Sequence, residues 1–134
     1  TPIGAYLGQY KKTESVELGT QCLQNLFQRN KKIDKKDVEG LVLGQVLTSG
    51  LGMNTARQVA LKSGMSQSSF AYVVNQVCGS GMRAAIEASL KIFTQESDLV
   101  IAGGQESMSR ARHAYLSRTG EKKCLMTEDL VESA

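Results

Sequence analysis

The spacing of hydrophobic residues predicts three helices, and a short strand follows each of them. The first helix begins at Ser15 and carries its apolar residues on one face, at intervals of three and four positions. The second covers residues 55–62, with Asn54 as its N-cap and Gly64 after its end. The third covers residues 81–94 and is apolar on most faces, so we expect it to be buried.

Three short apolar runs predict the strands, at residues 38–47, 70–77 and 98–104. Helices that alternate with strands form a mostly parallel sheet with helices on both of its faces, so the predicted fold class is α/β. Ligands bind such sheets at the carboxyl ends of the strands. Cys78 and the pair of Gly103 and Gly104 lie at two of these ends, and we expect them to converge on one site.

The last part of the chain has a different character. Residues 107–126 show no apolar periodicity and are predicted to form a loop that carries several basic side chains. A final helix is predicted from Thr127, which is a suitable N-cap and has two acidic residues after it. His113 has no chemical partner beside it in the sequence, so we interpret it as a surface residue.

Composition and charge exclude several classes of function. The chain has 134 residues, of which 41% are hydrophobic, and this is enough for one globular domain. No stretch approaches the ~20 apolar residues of a membrane span, so no membrane partner is expected. A net charge of +3 and few aromatic residues do not indicate nucleic-acid binding. Three widely spaced cysteines and one histidine form no metal motif. The odd number of cysteines favours a reducing compartment such as the cytoplasm.

Cys78 is the candidate catalytic residue. It follows a predicted strand and precedes Gly-Ser-Gly at residues 79–81, where the third helix starts. Unpaired backbone N–H groups and the helix dipole favour negative charge at a helix N-terminus, so a thiol there is biased towards the thiolate. The two glycines leave space for a substrate to approach the sulfur. The pattern therefore predicts a nucleophilic cysteine.

Other interpretations of these residues stay open. Cys78 could instead be a small buried hydrophobic residue, which is common for cysteine. Cys22, on the apolar face of the first helix, is predicted to pack in the core. Residues 79–81 also resemble a phosphate-binding turn, although the lysine of a P-loop is missing. Gly103 and Gly104 either contact a substrate or form a tight corner. Cys124 follows two lysines and is assigned no role.

Several short stretches together carry a family pattern. They are Thr-Pro-Ile-Gly at 1–4, Gly-Gln-Val-Leu at 44–47, Gly-Leu-Gly at 50–52, Asn-Thr-Ala-Arg-Gln at 54–58, Val-Asn-Gln-Val-Cys-Gly-Ser-Gly at 74–81 and Ala-Gly-Gly-Gln-Glu-Ser-Met-Ser at 102–109. In this order and at this spacing they resemble the N-terminal part of the thiolases, the acetyl-CoA acetyltransferases and 3-ketoacyl-CoA thiolases. The resemblance weakens after Ser109.

The resemblance implies a thiolase-like layered fold and an acyltransferase. Cys78 matches the family nucleophile, which attacks an acyl-CoA and holds the acyl group as a thioester. A second acyl-CoA then takes the acyl group in a Claisen condensation, and the reverse reaction is thiolysis of a 3-ketoacyl-CoA. The backbone N–H of Cys78 would donate to the oxyanion. Acyl-CoA is therefore the expected substrate, and no further cofactor is expected. The family also implies a homodimer or homotetramer in which the strand before Cys78 pairs with its copy.

The chain also departs from the family pattern. The family's Gly-His-Pro motif, its second cysteine in Cys-x-Gly and its Asn-Glu-Ala element have no counterpart in this sequence. We therefore expect residues 1–108 to form an N-terminal thiolase domain without its first strand, and residues 109–134 to begin a truncated region that binds coenzyme A. The chain begins with Thr1, so an organellar location stays open beside the cytoplasm. By itself the chain is expected to be unable to complete the catalytic cycle.

Two functions compete with catalysis of the thiolase type. A truncated, noncatalytic thiolase or binding module would retain the fold without the chemistry, which agrees with the missing histidine motif. A ketoacyl synthase that uses a carrier-protein thioester agrees less well, because its cysteine loop usually lacks Cys-Gly-Ser-Gly. The basic residues of 110–123 would either contact the phosphates of coenzyme A or form a plain surface loop.

Overall fold

The computed structural model describes residues 3–116 and 118–124, in which three α-helices alternate with three strands before a short hairpin. The helices are α1 (Ser15–Arg29), α2 (Thr55–Lys62) and α3 (Ser80–Phe93). The alternating strands are β1 (Gly40–Gly44), β2 (Phe70–Val74) and β3 (Val100–Gly104). A 3₁₀ turn at Met108–Arg110 precedes the hairpin strands β4 (His113–Leu116) and β5 (Glu121–Cys124).

The sheet of β1, β2 and β3 is parallel, with β1 in the centre. Gly40 is opposite both Phe70 and Val100, and Gly44 is opposite both Val74 and Gly104. The three strands therefore start and end at the same level, and all their carboxyl ends lie along one edge of the sheet. This alignment brings the segments that follow the strands together, as the sequence predicts.

Helices cover both faces of the sheet. On one face, Leu41 and Leu43 pack with α1 and α2 in a core that includes Val16, Leu23, Val59 and Met65. On the other face, Val42 packs with Ala84 and Ala88 of α3. This alternation follows from the pleat, which points successive side chains to opposite faces. The predicted α/β fold, a parallel sheet with helices on both faces, is confirmed.

Local signals predict α2 well. The Asn54 side chain accepts a hydrogen bond from the backbone N–H of Arg57 at 3.0 Å, as an N-cap does. Gly64, after the helix, has a φ of +87°, which a residue with a side chain rarely adopts. Both ends of this helix are thus fixed by residues next to them in the sequence.

The predicted burial of the third helix is wrong. Only Ser80, Ala84 and Ala88 of α3 are buried, and the side chains that point away from the sheet are exposed. The exposed apolar residues of α3 are Met82, Ile86, Leu90, Ile92 and Phe93. The small alanines let the helix pack closely on the sheet, but a single sheet covers only one side of a helix.

Cys22 is exposed, so the prediction that it packs in the core is also wrong. The face of α1 that packs on the sheet is formed by Ser15, Val16, Thr20 and Leu23. Cys22 precedes Leu23 by one residue, about 100° around the helix, and its side chain therefore points away from the core.

The final region differs from the prediction in its backbone. Residues 107–126 were expected to form a loop, but His113–Leu116 and Glu121–Cys124 pair as an antiparallel hairpin. The helix predicted from Thr127 lies outside the described residues. Within the described part of the chain, no helix is both long enough and apolar enough to cross a bilayer.

Candidate active site

Cys78 lies in a tight turn, residues 75–79, that joins β2 to α3. The strand ends at Val74, three residues earlier than predicted, and α3 begins at Ser80. Cys78 is exposed, so the interpretation of it as a buried packing residue is wrong. The structure therefore presents this thiol to solvent, beside the first turn of a helix and at the carboxyl edge of the sheet.

Backbone hydrogen bonds close the turn tightly. The N–H of Gly79 donates to the carbonyl oxygen of Gln76 at 2.9 Å, and the N–H of Ser80 donates to that of Val77 at 3.1 Å. The Asn75 side chain accepts from the N–H of Val77 at 3.0 Å. Cys78 is thus held between residues whose backbone groups are paired inside the turn.

The residue before Cys78 has an unusual conformation. Val77 has a φ of +48°, in the left-handed region that a β-branched side chain strongly disfavours. Such a conformation costs about 1–3 kcal/mol and persists only where the surroundings enforce it. Residues held in this way occur preferentially at functional sites. The strain lies one peptide unit from the candidate nucleophile.

Gly44, at the end of the central strand, lets the first turn of α3 lie directly on the sheet. A methyl group on Gly44 would lie 2.5 Å from the carbonyl carbon of Ser80 and 2.6 Å from the nitrogen of Gly81, both closer than van der Waals contact allows. A methyl group on Gly104, in β3, would lie 3.8 Å from the α-carbon of Gly81. Gly44 and Gly104, which end β1 and β3, therefore both face the start of α3. That Cys78 and the pair of Gly103 and Gly104 form one site stays a prediction.

A buried polar network joins the other elements at this edge. The Gln45 side chain donates to the Ser15 hydroxyl at 2.9 Å, and its oxygen accepts from Thr55 at 2.6 Å and from Gln105 at 2.8 Å. These four residues belong to or flank α1, β1, α2 and β3, and all are buried. Hydrogen bonds between buried polar groups hold the four segments in one arrangement.

Glu106 fixes the loop that follows β1. Its carboxylate accepts hydrogen bonds from the backbone N–H groups of Val46, at 2.8 Å, and Leu47, at 3.3 Å. Burial raises the pKa of Glu106 above its ordinary value, and the donated backbone hydrogen bonds oppose part of this shift. The glutamate of the Gly-Gly-Gln-Glu-Ser element therefore ties the end of β3 to the end of β1.

The basic residues at the start of the final region are paired. Arg110 and Arg112 both donate to one carboxylate oxygen of Glu14, at 2.5 and 2.9 Å. The hydrogen bond from Arg110 is the main reason that the pKa of Glu14 lies below its ordinary value. The positive charges of the two arginines are thus partly compensated by Glu14. His113 is exposed at the start of β4, as expected of a surface histidine.

An open cleft lies beside the turn. It has a volume of about 270 Å³ and is open to solvent between β1, β2 and the start of α2. The lining residues are Gln45, Thr48, Gly52, Asn54, Thr55, Val73 and Asn75. Asn75 belongs both to this cleft and to the turn that carries Cys78. The cleft supplies amide and hydroxyl groups, which bind polar atoms of a ligand without carrying charge.

Sequence reasoning identified the turn but not the groups that support it. In the sequence, Ser80 stands out only as the middle residue of Gly-Ser-Gly at 79–81, and Gln45, Gln105 and Glu106 only as parts of family motifs. The contacts of Gln45, Gln105 and Glu106 join residues up to 60 positions apart, so no local pattern predicts them. The contacts of Ser80 are local, and they depend on how the turn closes. The available signal was the presence of polar residues directly after apolar strands.

Comparison with known proteins agrees with this architecture. A sequence model of the family described as "Thiolase, N-terminal domain" matches residues 1–132. The chain is 45% identical to the probable acetyl-CoA acetyltransferase of Escherichia coli over 134 residues, which are 99% of the chain and 33% of that protein. It is 43% identical to the acetyl-CoA acetyltransferase of Paracoccus denitrificans over 122 residues, 91% of the chain and 31% of that protein.

A third relative, the acetyl-CoA acetyltransferase of Allochromatium vinosum, is 41% identical over 121 residues, 90% of the chain and 30% of that protein. The chain spans about one third of the length of these curated relatives. Because the family pattern covers nearly all of its residues, the chain belongs to the thiolase family and corresponds to the N-terminal domain of that family.

Proposed function

We propose that this protein takes part in acyl transfer from acyl-CoA, with Cys78 as the nucleophile. The observation that carries the proposal is the exposure of Cys78 on a strained turn, directly before α3 and at the carboxyl edge of a parallel sheet. This edge of the sheet is where ligands bind in α/β folds. The relatives named as acetyl-CoA acetyltransferases support the same chemistry.

The first half-reaction moves an acyl group from one sulfur to another. Cys78 loses its proton to solvent, and its thiolate attacks the carbonyl carbon of the acyl-CoA thioester, forming a new carbon–sulfur bond. The tetrahedral intermediate carries a negative oxygen, to which we assign the backbone N–H of Cys78 as a donor. The bond to the coenzyme A sulfur then breaks, and the departing thiolate takes a proton from solvent. A thioester on Cys78 results.

For the whole protein we propose the complete thiolase reaction. The α-carbon of a second acyl-CoA loses a proton and bonds to the acyl carbon on Cys78, and the bond from that carbon to sulfur breaks, so that Cys78 leaves as a thiolate and is reprotonated. This is a Claisen condensation, and thiolysis of a 3-ketoacyl-CoA is its reverse. The thioester is itself an activated acyl donor, so we propose no further cofactor. We also propose a homodimer or homotetramer and a reducing compartment such as the cytoplasm, which keeps Cys78 a thiol.

The proposal is tested by incubating the chain with acetyl-CoA and locating the product by mass spectrometry of its peptides. We expect one acetyl group on Cys78, and none at position 78 of a Cys78→Ser variant, because a serine hydroxyl is far harder to ionise than a thiol. Far-UV circular dichroism of the variant should be unchanged, since Cys78 is exposed.

Iodoacetamide provides the control for accessibility. If Cys78 is alkylated by iodoacetamide but never acetylated by acetyl-CoA, the proposal is wrong and the chain is a noncatalytic thiolase domain. If the Cys78→Ser variant loses its fold, Cys78 is mainly a structural residue.

A further inference from the structure

We propose that Ser80 is the positioning residue for Cys78. Its buried hydroxyl holds the turn in the one conformation that directs the thiol and the backbone N–H of Cys78 at the same acyl group. The inference rests on the proposed acyl transfer and adds to it a residue that acts through the turn and does not itself contact the substrate.

The Ser80 hydroxyl uses both of its hydrogen-bonding functions on the turn. Its oxygen accepts from the backbone N–H of Gln76 at 2.9 Å, and its proton is donated to the carbonyl oxygen of Val77 at 2.6 Å. These two groups flank the backbone torsions of Val77, the strained residue. The hydroxyl of Ser80, a residue that is only 5% exposed, therefore holds both sides of the unfavourable conformation.

The hydroxyl is in turn fixed relative to the sheet. The backbone of Ser80 lies against Gly44, where no side chain intervenes, and Ser80 is the first residue of α3. The central strand thus fixes the position of Ser80, the Ser80 hydroxyl fixes the backbone of Val77, and the backbone of Val77 sets the orientation of Cys78. Without the hydroxyl, the strained φ of Val77 relaxes to an ordinary value. This change rotates the following peptide unit, which carries the N–H of Cys78.

The consequence depends on the type of reaction at sulfur. Attack on a thioester requires that the N–H lie about 2.7–3.1 Å from the developing oxyanion while the sulfur reaches the carbonyl carbon. A displacement on the order of 1 Å can cost about 10²-fold in rate. Alkylation by iodoacetamide forms no oxyanion, and it requires only an accessible thiolate. Acylation and alkylation of the same cysteine should therefore respond differently to the loss of the hydroxyl.

The experiment compares Ser80→Ala with Ser80→Thr, which retains a hydroxyl, and with Ser89→Ala as the matched control. Ser89 is also in α3, and its hydroxyl donates to the carbonyl oxygen of Ala85 at 2.8 Å, away from the turn. For each protein we would measure the rates at which Cys78 is acetylated by S-phenyl thioacetate and alkylated by iodoacetamide, by mass spectrometry. Hydrogen exchange of the Gln76 amide, by NMR, reports the hydrogen bond itself.

We expect Ser80→Ala to slow acetylation relative to alkylation by about 10²-fold and to accelerate exchange of the Gln76 amide. Ser80→Thr should restore both properties, and Ser89→Ala should change neither. An equal fall in both rates, or unchanged acetylation, overturns the proposal, because a merely structural role affects both reactions alike. Unchanged Gln76 exchange in Ser80→Ala also overturns it.

Two further outcomes are distinguishable. Acetylation of the unmutated chain by S-phenyl thioacetate but not by acetyl-CoA would contradict the proposed function while leaving the comparison at Ser80 valid. If Ser80→Ala does not fold, the unmutated chain decides: a Gln76 amide that exchanges as fast as in an unstructured peptide has no bond to Ser80, and the proposal fails.

Discussion

Glu14 shows how single residues fasten the final region to the domain. Its carboxylate accepts hydrogen bonds from Arg110 and Arg112, which lie 96 and 98 positions later in the chain. The bond from Arg110 lowers the pKa of Glu14 below its ordinary value of 4.5. A carboxyl group whose folded-state pKa is lowered stabilises the fold above its unfolded value, and this stabilisation is lost as the pH falls through the lowered pKa.

We therefore expect Glu14→Gln to reduce the free energy of unfolding at pH 7 by up to about 1 kcal/mol, because partly exposed ion pairs are screened by solvent. The difference in unfolding free energy between the unmutated chain and the variant should shrink towards zero as the pH is lowered below the ordinary pKa of glutamate. Urea denaturation at several pH values measures it.

Glu17→Gln is the matched control, because it removes the same charge from the same end of α1. Its carboxylate accepts a hydrogen bond from the exposed amide of Gln21 at 3.4 Å. If the loss of unfolding free energy in Glu14→Gln does not change with pH, or equals the loss in Glu17→Gln, the two arginines do not stabilise the fold through Glu14.

Residue-scale features divide into those that the sequence predicts and those that depend on the fold. Cys78 and the Asn54 cap were identified because their neighbours in sequence define their surroundings. Ser80 and Gln45 were not, because their partners are chosen by how the turn closes and how strands align. The misplacement of Cys22 has the same origin: its position on α1 was inferred from neighbouring apolar residues, whereas the sheet selects the buried face.

At the scale of elements, the contact between β1 and α3 determines where the turn of residues 75–79 lies. Gly44 ends the central strand beneath the backbone of Ser80 and Gly81. A side chain at Gly44 must displace this first helical turn, since the neighbouring atoms are backbone and cannot rotate away. Overpacking of this kind typically costs about 1–3 kcal/mol.

Gly44→Ala should therefore lower the free energy of unfolding by about 1–3 kcal/mol and slow acetylation of Cys78 through the displaced turn. Gly81→Ala is the control for stability, because a methyl group there meets no other atom within 4 Å. In a helix, alanine is favoured over glycine by up to about 1 kcal/mol, so Gly81→Ala should stabilise the fold. Thermal and urea unfolding of both variants provide the test, and equal stability of the two would contradict the close approach at Gly44.

The elements were predicted best where signals are local. All three parallel strands and three helices were found, and α2 was found with its bounds, because a cap and a terminating glycine flank it. The hairpin of β4 and β5 was missed, because each strand has only four residues and β5 carries a glutamate and two lysines in place of the apolar run of a buried strand. The strand β2 was predicted too long, since the apolar Val77 continues its pattern through the turn.

At the scale of the whole molecule, the described residues form one helical layer on the α3 side of the sheet, and the outer surface of that layer is apolar. Met82 is 74% exposed and Phe93 is 86% exposed, and Ile86 and Leu90 lie between them at helical spacing. We call these four residues the outer stripe of α3. The composition of the helix led to a prediction of burial, because a sequence does not reveal how many layers pack against an element. Contiguous exposed apolar patches promote association and bind apolar dyes.

We expect the chain to bind an apolar fluorescent dye and to self-associate as its concentration rises, and a Met82→Lys, Phe93→Lys double variant to lose most of both effects. The double variant should retain its circular dichroism spectrum, because the helix packs on the sheet through Ala84 and Ala88 instead. Met53→Lys is the control, since Met53 is 92% exposed but lies in the loop before α2. Analytical ultracentrifugation and dye fluorescence measure the two effects. If dye binding and self-association fall only in the double variant, the outer stripe of α3 is the surface that causes them. If they fall equally in the control, exposed apolar residues contribute independently across the surface.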